Sequence, residues 1–469
     1  MSPIRGTDES DIAFATVQEL KGKLARGEVT SMELTELALK RLGTIGTRLN
    51  AVASLMGESA LEDARRSDVE RAAGKIRGPL HGIPYGAKDL LDTRGTRTTW
   101  GSILYKDRVP EADAAVVSRL RDAGAILVAK LSMVELAGGA GYRYASASLQ
   151  GPGRNPWNPD RWTGGSSSGS GAAVGAGLVP FAIGSETWGS IVCPSSYCGV
   201  SGLRPTFGAI SRFGAMALCW SLDKLGPLAR SAEDLETIFG VLTGSDSRDP
   251  STLHIAERIE PPLHTLEIGV LPDSAWAGYQ PEAVATFKAA LKLLESKGHL
   301  LVPIKLPDHP FDALLLTILF SEAAAAFEPL IRSGKHLELI DPAAKIGFLA
   351  STTIPAVDYI NAMRRRKLAA TEMASLFDKV DMIAGPSIPS VASPIDANLE
   401  TWYALPSDPL GAPGNLCGLP AVSVPCGFGE AGLPLGISFM GPVGGASLVL
   451  TAAKALQLES DFHRKRPPV

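Results

Sequence analysis

The chain has 469 residues, 45% of them apolar and 20% charged, with a formal net charge of −4. A balance this near neutrality carries no field suited to gripping nucleic acid or an anionic membrane surface. No apolar run reaches the ~18 to 20 residues that span a bilayer, since Ala313–Phe320 is too short and Gly171–Gly184 is broken by Gly and Pro180.

The N-terminal MSPIRGTDESD lacks the apolar core of a secretory signal, so a cytoplasmic location is expected. Val17, Leu20 and Leu24 recur at helical spacing, and a second helix starts at a capping box, Thr30 to Glu33, with Leu34, Leu37, Ala38 and Leu42 on one face. A charged helix is expected around Glu58–Ala73. The segment Gly78–Asp92, GPLHGIPYGAKDLLD, holds a short strand over Pro84–Ala87 that ends at Lys88, whose neighbours Tyr85, Gly86, Ala87, Leu90 and Leu91 point to a buried ammonium. Asp113–Ala123 reads as a helix stopped by Gly124, and Ala125–Ala129 as a strand ending at Lys130. Further strands are expected at Leu266–Leu271, Leu300–Leu306, Asp381–Ala384, Val422–Val424 and Leu435–Met440, with a helix at Pro281–Ser296 between the first two. The alternation predicts an α/β fold: a mixed, mostly parallel central sheet covered by helices on both faces.

The five cysteines (Cys193, Cys198, Cys219, Cys417, Cys426) form no C-x-x-C pair, and the seven histidines show no metal-binding spacing. Buried thiols and the absence of a metal or other cofactor are expected. Nucleotide-binding glycine motifs are lacking as well.

The most informative stretch is Gly164–Ser190, GGSSSGSGAAVGAGLVPFAIGSETWGS. It opens on eight consecutive Gly or Ser residues and leads into the small apolar segment Ala172–Val179. A flexible linker shares that composition, but linkers lead out of cores and this run leads into one. Exposed N–H groups and hydroxyls at a helix start suit nucleophilic chemistry on a carbonyl, because nucleophile and oxyanion donors can come from one segment. Gly165–Gly169, GSSSG, formally matches a nucleophile elbow with Ser167 as nucleophile, yet the preceding QGPGRNPWNPDRW cannot be the strand an elbow requires. Ser221-Leu-Asp-Lys224 matches S-x-x-K but lacks the accompanying S-D-N and K-T-G.

Five segments, GPLHGIPYGAKD, NPWNPDRWTGGSSSGSGAAVGAG, GSETWGSIVCPSSYCGVSGLRPT, SLDKLGP and NLCGLPAVSVP, stand in an order that resembles the amidase signature family. The resemblance implies one domain over residues 1–469, a core with the catalytic residues at 78–228, and a substrate-side region at 252–408 that varies among members. It implies that Ser190 is the acylated nucleophile, Ser166 the bridging serine 24 positions earlier, preceded by a cis peptide bond, and Lys88 the base. Backbone N–H groups of Thr187, Trp188, Gly189 and Ser190 would then form the oxyanion hole. Trp188, with Gly138, Gly139 and Tyr142, would bind substrate, and Tyr144 and Trp220 are candidate aromatic companions.

Three departures accompany the matches. Glu186 stands where relatives carry Asp, Trp188 where they carry Gly, and Val192 where they carry Arg. The Asp and Arg form a buried pair in the family, so Glu186 needs another partner, a backbone N–H or Ser185, or must be protonated. The family also includes the glutaminase subunit of a tRNA-dependent amidotransferase, in which an arginine holds the glutamine carboxylate. Here Glu328 and Pro329 occupy that stretch, while Asp408 matches an acid that can hold an amino group. The expectation is a stand-alone hydrolase of small amides, with carbamates or aryl esters as alternative substrates and a homodimer as the possible assembly. The lesser alternatives are a non-catalytic binding protein and a glutaminase subunit.

Overall fold

The computed structural model describes residues 8–254, 265–402 and 408–469. Parts of the N-terminal segment and of the 252–408 region therefore lie outside the described residues. Eleven strands form one sheet in the order β1-β3-β2-β4-β6-β5-β10-β11-β9-β7-β8. They are β1 (Val52–Leu55), β2 (Pro84–Lys88), β3 (Ile126–Leu131), β4 (Phe181–Glu186), β5 (Ser201–Arg204), β6 (Lys224–Ala229), β7 (Glu267–Val270), β8 (Leu300–Pro303), β9 (Met382–Pro386), β10 (Ala421–Phe428) and β11 (Pro434–Met440). The sheet is mixed and flanked by helices, as expected. Its parallel share is smaller than expected: β2 pairs with β3 and β4, and β7 with β8 and β9, in parallel, while the other six pairings are antiparallel. The parallel pairs sit where strands alternate with helices; five of the six antiparallel ones involve β5, β6, β10 or β11, and the sixth joins β1 to β3.

Local sequence chemistry fixes the helix starts. Thr16 with Glu19, and Thr30 with Glu33, form the reciprocal bonds of a capping box at the helices Val17–Arg26 and Ser31–Arg41. The Gly/Ser run becomes the helix Ser168–Gly175, every residue of which is buried. Its glycines permit contact that no side chain allows: a Cβ on Gly169 would lie 2.5 Å from the Ala51 carbonyl oxygen and the Ser132 nitrogen. This close approach seats the helix against β2, β3 and β4 and brings its N-terminus to the end of the sheet where Lys88 lies. Among the described residues no helix is long and apolar enough to cross a membrane.

Candidate active site

Lys88 ends β2, a strand in which all five residues are buried, and its own exposure is 0%. Its ammonium donates to three hydroxyls: Ser166 Oγ at 2.7 Å, Ser185 Oγ at 2.9 Å and Ser167 Oγ at 3.0 Å. Burial pulls its pKa down to about 7, against a smaller upward pull from Asp223 and Glu186. At neutral pH the amine is thus available as a base, which an exposed lysine is not.

Of the three hydroxyls, that of Ser167 is already committed. It donates to the Ser185 carbonyl oxygen at 3.1 Å and accepts from the Ser185 N–H at 3.3 Å. With its proton on a carbonyl, Ser167 anchors the lysine and cannot give that proton up without breaking a buried bond. The Ser166 hydroxyl has no such commitment among the described residues. The Gly165–Ser166 peptide is cis.

Ser190 lies beside this group, its carbonyl oxygen accepting from the Ser167 N–H at 3.3 Å. It is 8% exposed, and its hydroxyl makes no hydrogen bond among the described residues. The Thr187–Ser190 turn is pinned from outside. Thr187 Oγ1 donates to Asp223 at 2.6 Å, and the Gly189 carbonyl accepts from the Cys193 N–H at 2.7 Å. Gly189 holds φ +80°, a conformation that favours glycine. None of the N–H groups of Thr187, Trp188, Gly189 and Ser190 has an acceptor among the described residues. Donors of this kind could stabilise an anion.

Glu186 has the partner that the loss of the family arginine calls for, on an element the sequence did not suggest. Its Oε1 accepts from Arg204 of β5 at 2.9 Å and from Asn415 Nδ2 at 3.0 Å, and its Oε2 from the N–H groups of Ile191 and Val192 at 2.8 and 3.0 Å. Burial pushes the carboxyl up, but Arg204 and the backbone donors outweigh it and hold the pKa at about 2. The side chain is therefore an ionised clamp on the two residues after Ser190. Neither Ser185 nor protonation is needed.

A cavity of about 460 Å³ opens onto the turn, lined by Gly165, Trp188 and Gly189 together with Tyr142, Tyr279, Asp312 and Asp408. The Trp188 indole N–H donates to Asp408 Oδ2 at 2.7 Å. Tyr144 and Trp220 do not line this cavity: Tyr144 is exposed, and Trp220 borders a separate hollow of about 210 Å³ on the Ser185 and Thr187 side. Gly138 and Gly139 do not line it either. A Cβ on Gly138 would lie 3.0 Å from the Tyr142 ring, and one on Gly139 would lie 2.8 Å from Phe348, so both act by letting neighbours pack. Sequence reasoning missed Arg204, Tyr279 and Asp312, and it considered Ser185 only as a partner for Glu186, not for Lys88. The S-x-x-K lysine, Lys224, is buried in β6 and donates to the Leu222 carbonyl, away from any serine hydroxyl among the described residues. All five cysteines are thiols, and among the described residues no group of His, Cys, Asp or Glu could hold a metal ion.

A buried lysine ringed by serine hydroxyls, at one end of a large mixed sheet and beside a turn of unengaged N–H groups, defines an α/β protein with a lysine–serine centre. Residues 33–450 match the profile of the family described as Amidase. The chain is 35% identical to the glutamyl-tRNA(Gln) amidotransferase A subunit of Moorella thermoacetica, over 97% of this chain and 99% of that one. Among solved structures it resembles the native peptide amidase from Stenotrophomonas maltophilia (TM-score 0.85, 29% identity, 100% and 99% of the two chains). It also resembles a chain of a vestigial complex linked to the origins of an s-triazine catabolic enzyme (TM-score 0.86, 33% identity, 94% and 98%). The chain belongs to the amidase signature family, enzymes of the carbon–nitrogen hydrolase type.

Proposed function

We propose that this chain is a stand-alone serine hydrolase that cleaves the C–N bond of small amides, with Ser190 as nucleophile and Ser166 and Lys88 as proton relay. The observation that carries it is the 2.7 Å bond between a lysine of depressed pKa and Ser166, whose neighbour Ser167 donates its N–H to the Ser190 carbonyl oxygen. Neutral Lys88 takes the Ser166 proton, Ser166 takes that of Ser190, and the Ser190 oxygen attacks the carbonyl carbon. The tetrahedral oxyanion is held by N–H groups of the Thr187–Ser190 turn. The relay then runs backwards and protonates the leaving nitrogen as the C–N bond breaks. Water, activated through the same relay, attacks the acyl-enzyme, so that one amide and one water give one acid and one amine. The same residues would serve a carbamate or aryl ester.

The second reading, the glutaminase subunit of an amidotransferase, is favoured by the 35% identity to such a protein. Against it, no arginine is among the described residues that line the cavity, and Arg332, which follows Glu328 and Pro329, is exposed and paired with Glu328. A carboxylate-bearing substrate would lack its usual bidentate partner. The chain alone, or as a homodimer, is therefore expected to hydrolyse small amides without ATP or a second kind of polypeptide, and to use glutamine poorly. Its kcat/KM should rise with pH through about 7 and level off above, because the active form is the deprotonated lysine. A rate that falls over pH 6 to 8, or that appears only with a tRNA-binding partner, would contradict this.

Trp188 gives a further expectation. Its indole walls the cavity beside the nucleophile turn, and its N–H occupies Asp408. Trp188→Gly should disfavour flat apolar substrates relative to polar ones by about one to two powers of ten in kcat/KM. Uniform slowing across a substrate panel would assign the indole to supporting the turn.

A further inference from the structure

The cavity beside Ser190 is both aromatic and acidic, and the two acids differ in what they already do. Asp408 is occupied: Oδ2 accepts from the Trp188 indole at 2.7 Å and Oδ1 from the Gly411 N–H at 2.8 Å. Its task here is to hold the indole edge. Among the described residues Asp312, in the first turn of the helix Phe311–Ala326, accepts from no side-chain donor; the Asp408 N–H reaches its Oδ1 at 3.3 Å. This leaves its Oδ2 without a side-chain partner, and neither acid has a salt-bridge partner among the described residues. No Lys, Arg or His is among the described residues of the cavity wall. An acid in a helix's first turn is ordinarily a solvated complement to the helix dipole. This one is instead half-buried in a wall shared with Trp188 and Gly189. Burial, and then the charge of Asp408, push its pKa up, so a positive charge placed between the acids would relieve both costs. The rings of Tyr142, Trp188 and Tyr279 around them favour a cation with apolar surroundings.

We propose that Asp312 is a specificity-determining residue of this cavity, and that the preferred substrates are amides carrying a protonated amine, whose ammonium is held by the open Asp312 oxygen among the aromatic walls. This rests on the assignment of Ser190 as nucleophile, since it presumes that the cavity is the substrate's. The test is calorimetric binding to the full-length Ser190→Ala variant. The probes are ω-amino primary amides with two to six methylenes between carbonyl and ammonium, each paired with the chain that ends in methyl. At one or more lengths the ammonium member should bind about ten-fold tighter or better. Asp312→Asn in the same background should erase the difference, with Asp312→Ser as a second variant should the first fail to fold. Equal or tighter binding of the methyl member at every length would overturn the proposal, as would an equal loss for both members in the Asp312 variants. Because binding is read in a protein that lacks the nucleophile, Asp312-dependent selective binding by a chain whose wild type hydrolyses none of these amides would keep the ammonium site and overturn its reading as a substrate site.

Discussion

Ser190→Ala is expected to lower kcat/KM by about a million-fold, the order seen when the nucleophile of a comparable serine hydrolase is removed. The substitution takes away the hydroxyl of the pinned turn that lies beside the lysine–serine group, next to the cavity-lining Gly189, and it leaves the N–H groups of the turn in place. Residual rate would come from those donors and from binding alone. The neighbouring serines give the contrast that makes the result specific. Ser166→Ala breaks the relay at its middle, where Lys88 could still act on Ser190 through a water, so a small activity should survive. Ser167→Ala removes an anchor of Lys88 whose own proton sits on the Ser185 carbonyl, and should cost far less than Ser190→Ala. Steady-state kinetics on one amide across the three variants checks the order. Loss confined to Ser167→Ala would restore the nucleophile-elbow alternative.

The second large effect concerns stability. Arg204→Met strands the Glu186 carboxylate, which is wholly buried and ionised, and such a loss of one partner costs about 3 to 5 kcal/mol. Glu186→Gln should cost less in the presence of Arg204 than Arg204→Met does alone, because an amide oxygen can still accept from Arg204 or the backbone donors. The double variant should lose less than the sum of the two, since the residues share one bonded group. Urea unfolding midpoints measure all three, and additive losses would show that the pair is uncoupled. The pair also sets an acid limit. Because the folded pKa of Glu186 lies below its unfolded value, its contribution is complete above about pH 4.5 and is lost as pH falls toward about 2. Arg204→Met should flatten the stability profile in that window.

Much of the site was legible along the chain because the signals are local. A lysine flanked by small and apolar residues at the end of a strand reads as buried, and it is. The capping box at Thr30 marks the start of its helix to the residue. What failed to show depends on long-range pairing. β6, Lys224–Ala229, carries Gly226 and Pro227 in the middle of the sheet, where proline is unusual, and so hides from a periodicity search. β4 lies inside a Gly-rich stretch whose composition resembles its preceding helix more than a strand. Strand direction is not written in apolar pattern at all, which is why the parallel share was overestimated. Arg204 becomes the partner of Glu186 only because β5 pairs with β6, which itself pairs with β4. Asp312 and Tyr279 look like an ordinary helix-start acid and an ordinary loop aromatic until the helices fold over the turn that carries Ser190. Tyr144 and Trp220, aromatic and near in sequence to the expected pocket, face elsewhere for the same reason.

The central claim is that Ser190 is the activated nucleophile, and covalent labelling tests it most directly. A fluorophosphonate should form one stable adduct on the wild-type chain, and peptide mass mapping should place it on Ser190. Labelling should be absent in Ser190→Ala, strongly slowed in Lys88→Ala, and faster as pH rises through about 7. An adduct on Ser166, Ser167 or a cysteine with Ser190 unmodified, or a labelling rate indifferent to Lys88, would contradict it.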